Sequence, residues 1–161
     1  MSELMLSQDD LVKLLDLLSK GASVAQLTGV SKETLEGLYG VARNLYVAGN
    51  YKDAQVVFQA LSIYDANDMR FWMGLGGCRQ ALEEYERAAE AYQMAAVASN
   101  LKNPEPLLYA VRCLVKLNRR EDAIAGLQAL LTFGGDDKDP AQAACLKQAE
   151  ALLEMLKGAQ K

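Results

Sequence analysis

The stretch FWMGLGGCRQALEEYERAAEAYQMAA, residues 71–96, sets Gly74, Gly76 and Gly77 inside a run whose Leu, Ala, Glu, Arg and Gln content favours helix. Each glycine weakens an exposed helix by about 1 kcal/mol relative to alanine. Something must approach the helix closely enough to offset that cost, and an internal repeat supplies it. An alanine followed four residues later by a large side chain, and three after that by a small or apolar one, occurs as Ala54/Phe58/Leu61, Ala88/Tyr92/Ala95 and Ala123/Leu127/Leu130, at offsets of 34 and then 35 residues. A second set precedes each in the same register: Leu38/Val41/Ala42/Leu45, Trp72/Leu75/Gly76/Arg79 and Leu107/Ala110/Val111/Leu114.

Spacings of i, i+3, i+4 and i+7 put each set on one helical face, and a period of about 34 residues built from two such helices is the tetratricopeptide pattern. The expected fold is a single all-α domain spanning 1–161. It contains an N-terminal helical segment over 8–30, three tandem repeats over 35–68, 69–102 and 103–137, and a capping helix over 139–158. Gly76 then falls where the first helix of the second repeat touches the second helix, so a bulkier side chain would push the two apart. Gly74 and Gly77 have no packing duty in this pattern, and Gly77 faces the inner side of the helix.

Local signals mark the boundaries. Asn50 with Asp53, and Asn118 with Glu121, read as N-caps with an acid at the third position. Asn103-Pro104 and Asp139-Pro140 open helices, because a first-turn proline loses no hydrogen bond; the last helix is expected to run to about Lys157 and stop at Gly158. Near the N-terminus, Leu11, Leu14, Leu15 and Leu18 share one helical face, widened by Val12 and Leu17, before a Gly-bounded turn and a short helical turn around Ala25 to Leu27. At the end of a stack such a helix either packs on the first repeat or pairs with another chain.

Composition narrows the chemistry. The chain has 161 residues, 51% hydrophobic content and a net charge of −4 with the signs interspersed, so no basic stripe exists to neutralise a phosphate backbone, and nucleic acid is not an expected partner. No apolar run approaches the ~20 residues of a membrane span, and the acidic start MSELMLSQDD lacks the basic region of a secretory signal, which points to a cytosolic protein without stable membrane insertion. Histidine is absent, which removes the commonest general base and metal ligand. Cys78, Cys113 and Cys145 are too far apart for a zinc spacing and odd in number, so buried, reduced thiols are expected. GLGG lacks the preceding strand and the Gly-Lys-Ser/Thr ending of a phosphate loop, and Glu83/Glu84 and Asp136/Asp137 sit in charged surface contexts. No enzyme activity, cofactor or metal is expected.

In the repeat register the inner face carries Glu36, Tyr39, Arg43, Tyr46 and Val47 from repeat one, Arg70, Met73, Gly77, Gln80 and Ala81 from repeat two, and Leu108, Arg112, Val115 and Lys116 from repeat three. Tyrosines, methionine and small residues with polar groups at the edge suit an extended peptide with hydrophobic anchors. The alternative for Tyr39 and Tyr46 is stacking on neighbouring helices.

The segments TLEGLY, YKDAQVVFQAL, YDANDMRFW and GLGGCRQAL, in that order and preceded by LTGVSKETL, resemble the class II translocator chaperones of bacterial type III secretion over most of residues 10 to 130. Ordinary tetratricopeptide repeats share the alanine and aromatic positions but not FQALSIYD or GLGGCRQ. The resemblance implies a cytoplasmic bacterial chaperone that holds a segment of a hydrophobic, pore-forming translocator in the groove before export, without ATP, metal or covalent chemistry. It also implies a homodimer formed through the N-terminal region, which here would use Leu11, Leu14, Leu15 and Leu18. A second reading is a generic scaffold joining cytosolic proteins, in which Arg43, Arg70, Arg112 and Lys116 clamp an acidic C-terminus.

Overall fold

The computed structural model describes residues 8–159, and among these it contains nine α-helices and no strand. They are α1 (Gln8–Ser19), α2 (Val24–Thr28), α3 (Lys32–Val47), α4 (Tyr51–Tyr64), α5 (Met69–Ala81), α6 (Tyr85–Ala98), α7 (Glu105–Lys116), α8 (Arg120–Phe133) and α9 (Pro140–Gly158). From α3 onward each helix packs on the next, while α3 also touches α5 and α7 touches α9. The all-helical repeat architecture expected from the 34-residue period is therefore present.

Side chains start several of these helices. Ser23 and Gln26 form a reciprocal capping box on α2, Ser31 caps α3, Asn50 accepts from the Asp53 amide on α4, and Asp139 accepts from the Ala141 and Gln142 amides on α9. Asn103 accepts from the Glu105 amide at 2.9 Å beside Pro104, which opens α7. Asn118 departs from its expected role: it sits in the left-handed region at φ 59, and Arg119 occupies the cap of α8, where its side chain bonds Asp122 rather than capping the helix backbone. Gly49, Glu83 and Asn118 are equivalent turn residues, one per repeat, at φ 79, 61 and 59. The turn needs a left-handed residue there, which asparagine tolerates better than most side chains. The last helix ends at Gly158 as expected, and the following Ala159 keeps φ −71.

The recurrent alanines are the contact points between helices. Ala54, Ala88 and Ala123 are each 0% exposed, and Phe58, Leu61, Tyr92, Ala95, Leu127 and Leu130 are buried with them. A Cβ on Gly76 would lie 2.6 Å from the Tyr92 ring of α6, so only glycine admits that approach. Gly74 has a packing duty that the repeat pattern does not show: a Cβ there would lie 2.2 Å from the buried Phe58 ring of α4. Gly76 thus admits the helix that follows α5 and Gly74 the helix that precedes it.

The two ends of the stack are treated differently. Cys145 and Ala149 of α9 are buried in one apolar cluster with Leu108, Leu127 and Leu130. Arg120 donates to the Leu156 carbonyl, tying the start of α8 to the end of α9. At the opposite end Val41 is 50% exposed, whereas its equivalents Leu75 and Ala110 are 1% and 2% exposed. Those two are covered by the preceding repeat, which repeat one does not have. On α1, Val12 and Leu17 are exposed, and the side chains of Leu11, Leu14, Leu15 and Leu18 lie outside the described residues.

Candidate functional site

Helices α3, α5 and α7 share one face of the stack, where a cavity of ≈ 510 Å³ opens. Tyr39, Arg43, Tyr46 and Val47 of α3 line one side, and Arg70, Met73 and Gly77 of α5 the other. These seven belong to the inner-face set read from the sequence. A second cavity, ≈ 470 Å³, takes Gln80, Leu108, Arg112, Val115 and Lys116 from the same set. Two of the set stand elsewhere. Glu36 lines a smaller depression beside Lys32 and Asp68 and acts on Arg70, while Ala81 is exposed at the end of α5, where its single methyl reaches neither cavity. Leu108 is only 4% exposed and forms cavity wall rather than open surface.

Several residues complete these cavities without belonging to the set. Phe58 from α4 reaches through beside Gly74, and Tyr92 from α6 beside Gly76, to line the first cavity, which Glu105 and Tyr109 of α7 close. The glycines that let α4 and α6 approach α5 also let these two rings through. Tyr109 stacks on Tyr92 with centroids 5.2 Å apart, and the Tyr92 hydroxyl donates to Gln80 Oε1 at 2.8 Å. Burial raises the Tyr92 hydroxyl pKa, so it stays a neutral donor. A sequence signal existed for Tyr92, which is the large residue of the second repeat set. None existed for the contribution of α9, where Gln148, Leu152 and Met155 wall the second cavity.

Tyr39 serves both readings made for it. Its ring packs against Phe58 at 6.1 Å and Phe71 at 5.8 Å while also lining the cavity. Tyr46 is 38% exposed, sets its edge against Tyr51 at 5.2 Å, and faces Gly77, where a Cβ would come 3.3 Å from its ring. Burial raises the pKa of its hydroxyl, which remains protonated at neutral pH.

Electrostatics divide the cations. Arg70 bridges Glu36 and Asp68 and lies over the Tyr39 ring at 4.8 Å; the two carboxylates raise its pKa, and Arg70 in turn lowers that of Glu36. Its charge is spent inside the fold. Arg43 lies 5.9 Å over Tyr39, and Arg112 lies 5.4 Å over Tyr109 while donating to Gln148 Oε1 at 2.7 Å. Cys78, Cys113 and Cys145 are buried free thiols; burial pushes Cys78 and Cys113 up to about 11 and raises Cys145. No helix among the described residues is long and apolar enough to cross a membrane.

No protein-family model matches the chain. Individual relatives do. The low calcium response locus protein H of Yersinia pestis is 41% identical over 110 residues, which are 68% of this chain and 65% of that protein's length. A type III secretion complex from Aeromonas hydrophila superposes with a TM-score of 0.81 at 33% identity, covering 92% of this chain and 97% of the other. The Yersinia enterocolitica translocator chaperone SycD, in complex with a peptide of the translocator YopD, superposes with a TM-score of 0.72 at 35% identity, covering 82% and 98%. SycD also has an alternative dimer, with a TM-score of 0.71 at 35% identity and the same coverage of both chains.

Proposed function

Because the chain belongs to the translocator chaperones of bacterial type III secretion, we propose that it binds an extended segment of a hydrophobic translocator in the groove of α3, α5 and α7 and keeps that protein soluble in the cytoplasm until export. The observation that carries this reading is the first cavity. Its aromatic walls, Tyr39, Tyr46, Tyr92 and Tyr109, surround a space of ≈ 510 Å³ into which Met73 adds an adaptable thioether. Apolar side chains of a peptide would enter it, while the neutral Tyr46 hydroxyl offers a hydrogen bond to the peptide backbone. The work is steric, covering surface that would otherwise associate with membranes or other translocators. A homodimer through α1 belongs to the same proposal, supported by the exposed Val12 and Leu17 and by the uncovered Val41 at that end of the stack.

The scaffold reading needs a clamp of uncommitted cations around one carboxylate. Arg70 is already neutralised by Glu36 and Asp68, which takes one of the four cations out of such a clamp and counts against it. Calorimetric titration with a translocator-derived peptide separates the two. The chaperone reading expects Tyr39→Ala/Tyr46→Ala to weaken binding by roughly 1 to 3 kcal/mol per anchor, with a smaller effect from Arg43→Gln/Arg112→Gln. Normal binding by the tyrosine variant, together with steep salt sensitivity lost in the arginine variant, would overturn it in favour of the clamp.

A further inference from the structure

The second cavity differs in character from the first, and its far wall is the terminal helix rather than a repeat. Val115, Leu152 and the 67%-exposed Met155 make an apolar pocket of ≈ 470 Å³. Among the described residues its only charged lining groups are Arg112 and Lys116; neither is in a salt bridge, and Arg112 donates only to the neutral Gln148 Oε1. Glu150 and Glu154 of α9 do not line it. On a chain of net charge −4 this is a local inversion of sign. The first cavity, by contrast, holds Glu105 as well as arginines, one of them neutralised.

The two cavities meet at shared structure. Tyr92 lines the first and hydrogen-bonds Gln80 of the second, while Tyr109 of the first and Arg112 of the second both border a smaller depression of ≈ 330 Å³ between α7 and α9. A chain leaving the first cavity along α7 therefore passes Arg112 before reaching Met155. We propose that this pocket is a second docking subsite for the same client peptide, taking an apolar side chain flanked by an aspartate or glutamate. Leu152, Val115 and Met155 receive the apolar group, and Lys116 and Arg112 pair with the carboxylate at the rim. Charge complementarity selects the occupant, since a basic segment would meet two like charges at the same spot. The proposal rests on the groove reading above and specifies the client sequence that reading leaves open.

The test pans random peptides, displayed on phage through their C-termini so that no free carboxyl terminus is presented, on the immobilised full chain. Wild-type protein is expected to enrich peptides with two separated apolar anchors and an acid beside one of them. Arg112→Gln/Lys116→Gln should keep the anchors and lose the acid, and Met155→Asp should lose the anchor beside it. Lys52→Gln, which lines neither cavity, should select as wild type does. A synthetic copy of the best peptide, followed by fluorescence anisotropy, should bind roughly three- to tenfold more weakly to the Arg112→Gln/Lys116→Gln protein at low salt, with the difference vanishing at high salt. Thermal melts of each variant confirm that it is folded. Enrichment of apolar anchors without an acid, or an acid that persists in the Arg112→Gln/Lys116→Gln selection, overturns the second subsite and leaves the groove standing. Failure of wild type to enrich any apolar anchor overturns the groove reading and this inference with it.

Discussion

Replacing Gly74 by alanine tests the packing of the stack at its tightest point. The new Cβ would lie 2.2 Å from Phe58 Cε1 and 2.5 Å from two further atoms of that ring. Phe58 is 3% exposed and its ring is backed by Tyr39, so it can yield only by shifting into the cavity it lines, at the expense of its packing against Tyr39. Overpacking of this kind costs about 1 to 3 kcal/mol, and the distance places Gly74 at the upper end. Alanine returns about 1 kcal/mol of helix propensity. The net loss is about 2 kcal/mol, or roughly 4 to 8 °C in Tm for a chain of this size. Gly37 in α3 supplies the opposite sign: it too lies inside a helix, but nothing stands within 4 Å of its Cβ position, so Gly37→Ala should gain up to about 1 kcal/mol. Thermal and urea unfolding measure both. Combining Gly74→Ala with Phe58→Leu should cost less than the sum of the single changes by about 1 kcal/mol or more, because the smaller side chain gives the methyl room. A Gly74→Ala protein melting at or above the wild-type temperature would refute the contact and the α4–α5 packing built on it.

Gly76→Leu meets the Tyr92 ring at 2.6 Å and should lower stability by at least about 1 to 3 kcal/mol, measured by the same unfolding curves. Removing residues 1–20 should convert a dimer to a monomer in light scattering; equal mass and equal stability of the full-length and shortened chains would show that α1 is neither dimer contact nor cap. Cys78 and Cys113 hold their protons to about 11 in the folded state against about 8.5 when unfolded. Between these values the unfolded chain binds fewer protons, so the stability these thiols contribute is complete below about pH 8.5 and is lost as pH rises toward 11. Urea midpoints taken from pH 7 to pH 10 should therefore fall, and a Cys78→Ala/Cys113→Ala protein should show a shallower decline.

The sequence by itself determined the helices, their order and the residues at which they touch. A 34-residue period of i, i+3, i+4 and i+7 spacing is local chemistry, and it placed Ala54, Ala88, Ala123 and Gly76 at buried contacts because helical geometry alone sets which residues share a face. It also brought most of the inner-face set to the right side of the stack. What a face meets is not local. The angle between successive helix pairs decides that Phe58 passes Gly74 into the groove, that Glu36 reaches across 34 residues to neutralise Arg70, and that Tyr109 rather than Ala81 borders the cavities. Asn118 shows the same limit on a smaller scale, since the composition of its turn suited a cap while the path of the chain required a left-handed residue. The terminal helix carries no repeat signature, so only its docking on α7 and α8 reveals Met155 beside Lys116. A period states which residues share a face, and only tertiary packing decides what stands opposite them.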